Sequence, residues 1–103
     1  MYNEADILEI KIDFAAGGDN TVIAAAAGKK IRVLEIFFAL TLAQAVTIKS
    51  GSTALTGAMT ITSLSLPEGN KPRFSCGTNE AFIVNLGVGT QTGGRAYYLL
   101  ETV

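Results

Sequence analysis

The chain has no histidine, no tryptophan, one cysteine and two prolines, and only 17% of its 103 residues are charged. Without histidine, Ser-His-Asp and Cys-His catalysis lack their base, and most transition-metal sites lack a ligand. The lone thiol of Cys76 has no partner for an intramolecular disulfide, which excludes a disulfide-stapled secreted domain. With no imidazole to activate it, it reads as an inert, buried or partly buried side chain. The opening MYNEAD is acidic where a signal peptide needs a basic region. The apolar run from Val33 to Val46 is too short to cross a bilayer and is broken by Glu35 and Gln44. A soluble chain made in the cytoplasm is therefore expected, with no membrane partner. A net charge of −1 argues against a nonspecific grip on nucleic acid. The basic cluster of Lys29, Lys30 and Arg32 lacks the interleaved aromatics of single-strand binders.

What chemistry remains is weak. Glu9 and Asp13 share a strand face, but Lys11 lies between them, which describes a solvated ladder of alternating charge. Asp19 and Asn20 offer oxygens that could serve calcium, yet turn residues bonded to their own backbone explain them, and EF-hand spacing is absent. In GVGTQTGG (residues 87–94) the third glycine comes one residue late for a dinucleotide loop, and RAYYLLE follows as a strand. A flexible hairpin loop is expected there. No catalytic, cofactor or metal-binding residue is assigned, and an enzyme is not expected.

What is present is hydrophobic sequence, 49% of the chain. A domain of this size buries roughly 60–70% of the surface its unfolded form exposes, and ordinary domains carry about 25% charged residues. A shortage of charge on so small a body favours burial between subunits. The charges are also unevenly spread: residues 1–14 sum to −3 and residues 28–50 to +3. Solvated, lysine-guarded strand edges account for this, as would complementary contact between the N-terminal segment and a neighbouring subunit.

Turn signals recur at Gly17–Asn20, Gly28, Ser50–Ser52, Gly57, Pro67–Pro72, Gly77 and Gly87–Gly94. Between them lie short runs rich in Val, Ile, Thr, Phe and Tyr, a pattern that predicts an all-β chain. Strands are predicted over Leu8–Phe14, Thr21–Ala25, Lys29–Leu42, Ala45–Lys49, Thr53–Leu55, Ala58–Leu66, Arg73–Phe74, Glu80–Leu86 and Arg95–Thr102. The fifth closes a hairpin with the fourth. The first is cleanly amphipathic, with Leu8, Ile10, Ile12 and Phe14 on one face. The tetra-alanine Ala24–Ala27 reads as a strand end lying close to another backbone. Eight to nine short strands in one domain spanning residues 1–103 suit a jelly-roll-like, two-sheet antiparallel β-sandwich. Residues 1–14 form an acidic strand that pairs either within its own sheet or with a neighbour's.

Residues Lys29 to Leu42 depart from simple alternation. Ile31, Val33, Phe37 and Ala39 lie on one parity; Leu34, Ile36, Phe38, Leu40 and Leu42 lie on the other. A half-solvated strand should alternate, and this one stops doing so near Ile36. An apolar helix over Val33–Val46 competes, but it has no N-cap and runs into β-branched VTIKS. Two accounts of the second apolar face stay open: another chain covers it, or both parities line the core. The candidate oligomer or partner interface is Ile36, Phe37, Phe38, Leu40 and Leu42, with Tyr97 and Tyr98.

The blocks TVIAAAAGKKIRVLEIFFAL, AVTIKSGSTALTGAMTI and PRFSCGTNEAFIVNLGVGTQTGGRAYYLLE follow one another over most of residues 21–101. In pattern and order this resembles the small β-rich structural proteins of tailed bacteriophages, either head decoration (cement) proteins or tail and fibre components. The resemblance implies a homotrimer in the virion, synthesised in the host bacterial cytoplasm and bound to the major capsid protein or another virion protein. The acidic strand over residues 6–14 departs from that pattern. A carbohydrate- or receptor-binding module is the alternative from another class. The chain could offer it only Tyr2, Tyr97 and Tyr98 as phenolic stacking surfaces, with the loop Gly87–Gly94 to display.

Overall fold

The computed structural model describes residues 3–103 and is all-β, apart from one 3₁₀ turn over Glu4–Asp6. The Asn3 side chain caps that turn by accepting the Ala5 N–H at 3.0 Å. Tyr2 lies outside the described residues. Eight strands follow: β1 (Leu8–Phe14), β2 (Gly18–Ile23), β3 (Lys29–Ser50), β4 (Thr53–Ala54), β5 (Met59–Leu66), β6 (Phe74–Ser75), β7 (Phe82–Leu86) and β8 (Thr92–Thr102). All pairings are antiparallel within one sheet, in the order β1-β8-β3-β7-β2. The short strands β4 and β6 and the longer β5 pair with the opposite edge of β3.

The predicted strands Lys29–Leu42 and Ala45–Lys49 are one strand of 22 residues, and no helix interrupts them. At about 3.3 Å per residue a straight strand of that length would reach roughly 70 Å. The longest dimension of the molecule is 36 Å. β3 therefore bends back on itself, and the sheet curls with it. The bend falls at residues 40–43, where β3 carries extra residues against β5: the pairing jumps from Ala39–Ser63 to Gln44–Ile61.

The expected hairpin at Gly87–Gly94 is not formed. β7 and β8 do not pair with each other; both run along the same edge of β3, and the register that pairs Ser50 with Phe82 continues past the link as far as Glu35–Tyr97. Leu40 faces Thr92 and Val46 faces Leu86. Between these pairs Thr41 N–H donates to the Gln91 carbonyl at 3.0 Å, and Gly87 N–H donates to the Ala45 carbonyl at 2.9 Å. The glycines let one long segment bend alongside another. Gly89 lies against the β1–β2 link, where a Cβ would stand 2.6 Å from the Ala15 carbonyl oxygen. Residues 8–23 follow the same course one position further out, β1 on β8 and β2 on β7. The predicted hairpin at Gly51-Ser52 does form, with Lys49 facing Ala54 and Ser50 facing Thr53.

The loss of alternation in β3 has a local cause. A bulge at Leu34 shifts the register against β8, from Val33–Tyr98 to Glu35–Tyr97. A strand's side chains alternate with period two, so one extra residue moves every later side chain to the other face. Ile31 and Val33 are buried before the bulge; Ile36, Phe38 and Leu40 are buried after it. These residues join Val46, Ile48, Phe82, Val84 and Leu86 in one cluster, so the two arms of the bent strand share a core.

Among the described residues the buried polar side chains are Ser50 and Thr92, and both are hydrogen-bonded, Thr92 by donating to the Thr90 carbonyl at 3.1 Å. Ser50, 2% exposed, donates to Glu80 Oε1 at 2.6 Å and accepts the Gly77 N–H at 2.9 Å. Asn79, held at φ 63°, accepts the Gly28 N–H on its side chain at 2.6 Å and donates its own N–H to the Lys29 carbonyl. These contacts dock the β6–β7 loop onto both ends of β3. The tetra-alanine segment has Ala24, Ala25 and Ala27 exposed and lies in the β2–β3 connection, where Lys29 N–H donates to the Ala26 carbonyl.

Candidate interaction surface

The seven interface candidates separate into inward and outward sets. Ile36, Phe38 and Leu40 lie in the chain's own core, at 0%, 2% and 7% exposure. Phe37 and Leu42 point out, at 45% and 67%. Tyr98 is half-buried against the core, and Tyr97 faces a cavity on the outside of the sheet. Alternation separates Phe37 from Phe38, and the bulge at Leu34 sets which parity faces the core beyond it.

Two surface features result. The first lies at the bend, where the β1–β2 link, residues 41–45 of β3 and the β7–β8 link converge. Gln44 Oε1 accepts the Val88 N–H at 2.7 Å and ties the two bends together. Leu42 and Val88 stand out here at 67% and 70% exposure, with Ala15, Ala16, Ala43 and Ala45 also exposed. No charged residue occurs in residues 14–18, 36–48 or 81–94; Asp13 borders the corner, where Gln91 Nε2 donates to its carboxylate at 2.9 Å. The sequence contained the signal as three charge-free windows, but nothing in it indicated that they meet. Val88 was not among the candidates, since it lay in a stretch expected to be a hairpin tip.

The second feature is a cavity of about 280 Å³ beside the bulge. Leu34 (1% exposed), Ile7 and Tyr97 give it apolar walls, and Glu4, Glu9, Glu35 and Glu68 ring it. Tyr97 sits between Glu9 and Glu35 in the strand register. Glu9 is engaged by Arg95 at 3.0 Å. The surplus of carboxylates makes the cavity attractive to cations and repellent to anions. Among the described residues no three acidic or thiol groups converge closely enough to hold a metal ion.

The remaining charges pair along the sheet. Lys49 holds Asp19 at 3.0 Å, and Asn85 Nδ2 donates to the same carboxylate at 2.7 Å, which lowers its pKa through hydrogen bonding to Asn85 first and Lys49 second. Arg32 holds Glu101 at 2.7 Å and lowers that pKa likewise. Part of the positive block of residues 28–50 is therefore met inside the chain. Burial pushes the Cys76 thiol up, against a weaker opposing bond from Ser50. The described residues contain no helix long and apolar enough to cross a membrane.

No family model, no curated protein and no solved structure matches this chain. The class it can be assigned is thus structural: an all-β chain whose antiparallel sheet is curled around a single core.

Proposed function

We propose that this chain is a structural protein of a tailed-bacteriophage virion, a head decoration or cement protein that works as a homo-oligomer on the major capsid protein. The observation that carries the reading is the exposed apolar pair of Leu42 and Val88 at the bend, on a chain with few charged residues. The order of segments over residues 21–101, which resembles such proteins, supports it. Its mechanism would be thermodynamic. A protein that binds the assembled shell and not free subunits stabilises the shell by mass action, and several copies joined together gain further through avidity. We also propose that the curled sheet is a two-layer sandwich of jelly-roll type. The bend of β3 and the core shared by its two arms support that architecture.

The test is the rupture temperature of filled heads assembled with and without the chain. Heads lacking it should rupture at lower temperature, and addition of the purified chain should restore them. Unchanged rupture after complete removal overturns the decoration role. Antibody labelling confined to the tail would move the chain to the tail or fibre position. A receptor-binding module would instead retain glycan binding that is lost on substitution in residues 87–94.

A further inference from the structure

The sheet has two free edges, and they are built differently. One is formed by β1 and β2. Along it β1 carries the alternating charges Glu9, Lys11 and Asp13, and β2 carries Asp19 and a register shift between Thr21 and Ile23. Charges and irregularities of this kind are how edge strands are kept from pairing with foreign strands. The other edge is β5, Met59–Leu66, whose only strand partner among the described residues is β3. No charged residue occurs from Ser50 to Pro67, and β5 holds no proline. Its outward N–H and C=O groups have no partner among the described residues. Eight residues at about 3.3 Å give an open edge of roughly 26 Å along the strand, bent at Thr62 where the pairing with β3 skips.

The sequence of β5 also says what would cover it. Met-Thr-Ile-Thr-Ser-Leu-Ser-Leu has the same character read from either end, and its burial is symmetric too: half-buried at 59, 61, 64 and 66, exposed at 60, 62, 63 and 65. The symmetry comes from the bend of the sheet, which exchanges the inward parity between Thr62 and Ser63. A strand with that symmetry complements itself in antiparallel pairing, the arrangement a two-fold axis imposes.

We propose that β5 pairs with β5 of a second copy, antiparallel about a two-fold axis between Thr62 and Ser63. Met59 then faces Leu66 of the second copy, Ile61 faces Leu64, Thr60 faces Ser65, and Thr62 faces Ser63. Apolar side chains meet apolar ones and hydroxyls meet hydroxyls, which are favoured cross-strand pairs. The contact makes even-numbered assemblies and departs from the homotrimer that the phage resemblance implies. It does not depend on the virion reading, because a dimer in solution requires no capsid.

Sedimentation of the full chain across a dilution series tests it. A reversible dimer is expected. Thr62→Lys and Ser63→Glu should each weaken it about tenfold, since each change occurs twice in a two-fold contact. Together they should restore it, because in this register the introduced ammonium faces the introduced carboxylate. Amide exchange in residues 59–66 of the unaltered chain should slow as concentration rises, a readout that needs no variant to fold. A monomer at every concentration, a trimer, a dimer indifferent to Thr62→Lys, or concentration-independent exchange overturns the proposal. Exchange that slows only when an unrelated β-strand peptide is added would give the edge to a different occupant and overturns it too.

Discussion

Phe37 and Phe38 are adjacent and chemically identical; strand alternation puts them on opposite faces, and the bulge at Leu34 makes Phe38 the inward one. Replacing each by alanine measures that geometry directly. Phe38 is 2% exposed and sits in the core cluster, across from Leu64 on β5 and Gly94 on β8. Truncating a fully buried phenylalanine costs about 3–5 kcal/mol, as lost transfer energy plus the cavity left behind. Phe37 is 45% exposed, so about half of its transfer energy is at stake and no closed cavity forms; about 1 kcal/mol is expected. With a urea m-value of about 1.5 kcal/mol/M, Phe38→Ala should lower the unfolding midpoint by about 2–3 M and Phe37→Ala by under about 1 M. Small domains are stable by only about 5–15 kcal/mol, so Phe38→Ala approaches the limit of folding at room temperature. The assay is equilibrium urea unfolding followed by tyrosine fluorescence and far-ultraviolet circular dichroism. Equal losses, or a larger loss for Phe37→Ala, would refute the parity assigned after the bulge and with it the placement of Ile36 and Leu40.

Three further outcomes follow from particular contacts. Gly94→Ala should abolish folding or force β3 and β8 apart, because its Cβ would overlap the Phe37 carbonyl oxygen; soluble expression with native circular dichroism would contradict that approach. Asp19 has a folded pKa below its ordinary value of 3.8, so its bonds to Asn85 and Lys49 stabilise the native state above that pH and are lost as pH falls through the folded pKa. Asp19→Asn should accordingly flatten the decline of stability below about pH 4 and do nothing to its shape near pH 7, as followed by thermal melting. Cys76 is 3% exposed with its thiol pushed up by burial, so a thiol reagent at mildly alkaline pH should label it only in denaturant. Rapid labelling of the folded chain would contradict that burial.

Local sequence signals were enough for the all-β class of the fold. Period-two alternation in Leu8–Phe14 and the short β-rich runs between turn residues are local signals, and they led to an all-β chain with most strands within a few residues of their observed bounds. Lack of histidine and the isolation of Cys76 are compositional facts that need no fold. The shortage of charge along residues 36–48 and 81–94 was equally legible. What these windows do together was not.

Tertiary structure decided three things. The bulge at Leu34 depends on where β8 lies opposite, and a chain read alone contains no opposite strand; the two apolar parities therefore looked like two faces needing cover. The segment Gly87–Gly94 has the composition of a hairpin tip, yet its hydrogen bonds go to β3, some 45 residues away in sequence, so it bends where a hairpin would reverse. The bend of β3 over residues 40–43 follows from closing one core between two arms, a demand of the whole sheet that no residue in the strand expresses. Side-chain period is a property of neighbours along the chain, while register, bulges and edges are properties of neighbours in space. For that reason the apolar corner of Leu42 and Val88 and the open edge of β5 became visible only in the folded chain.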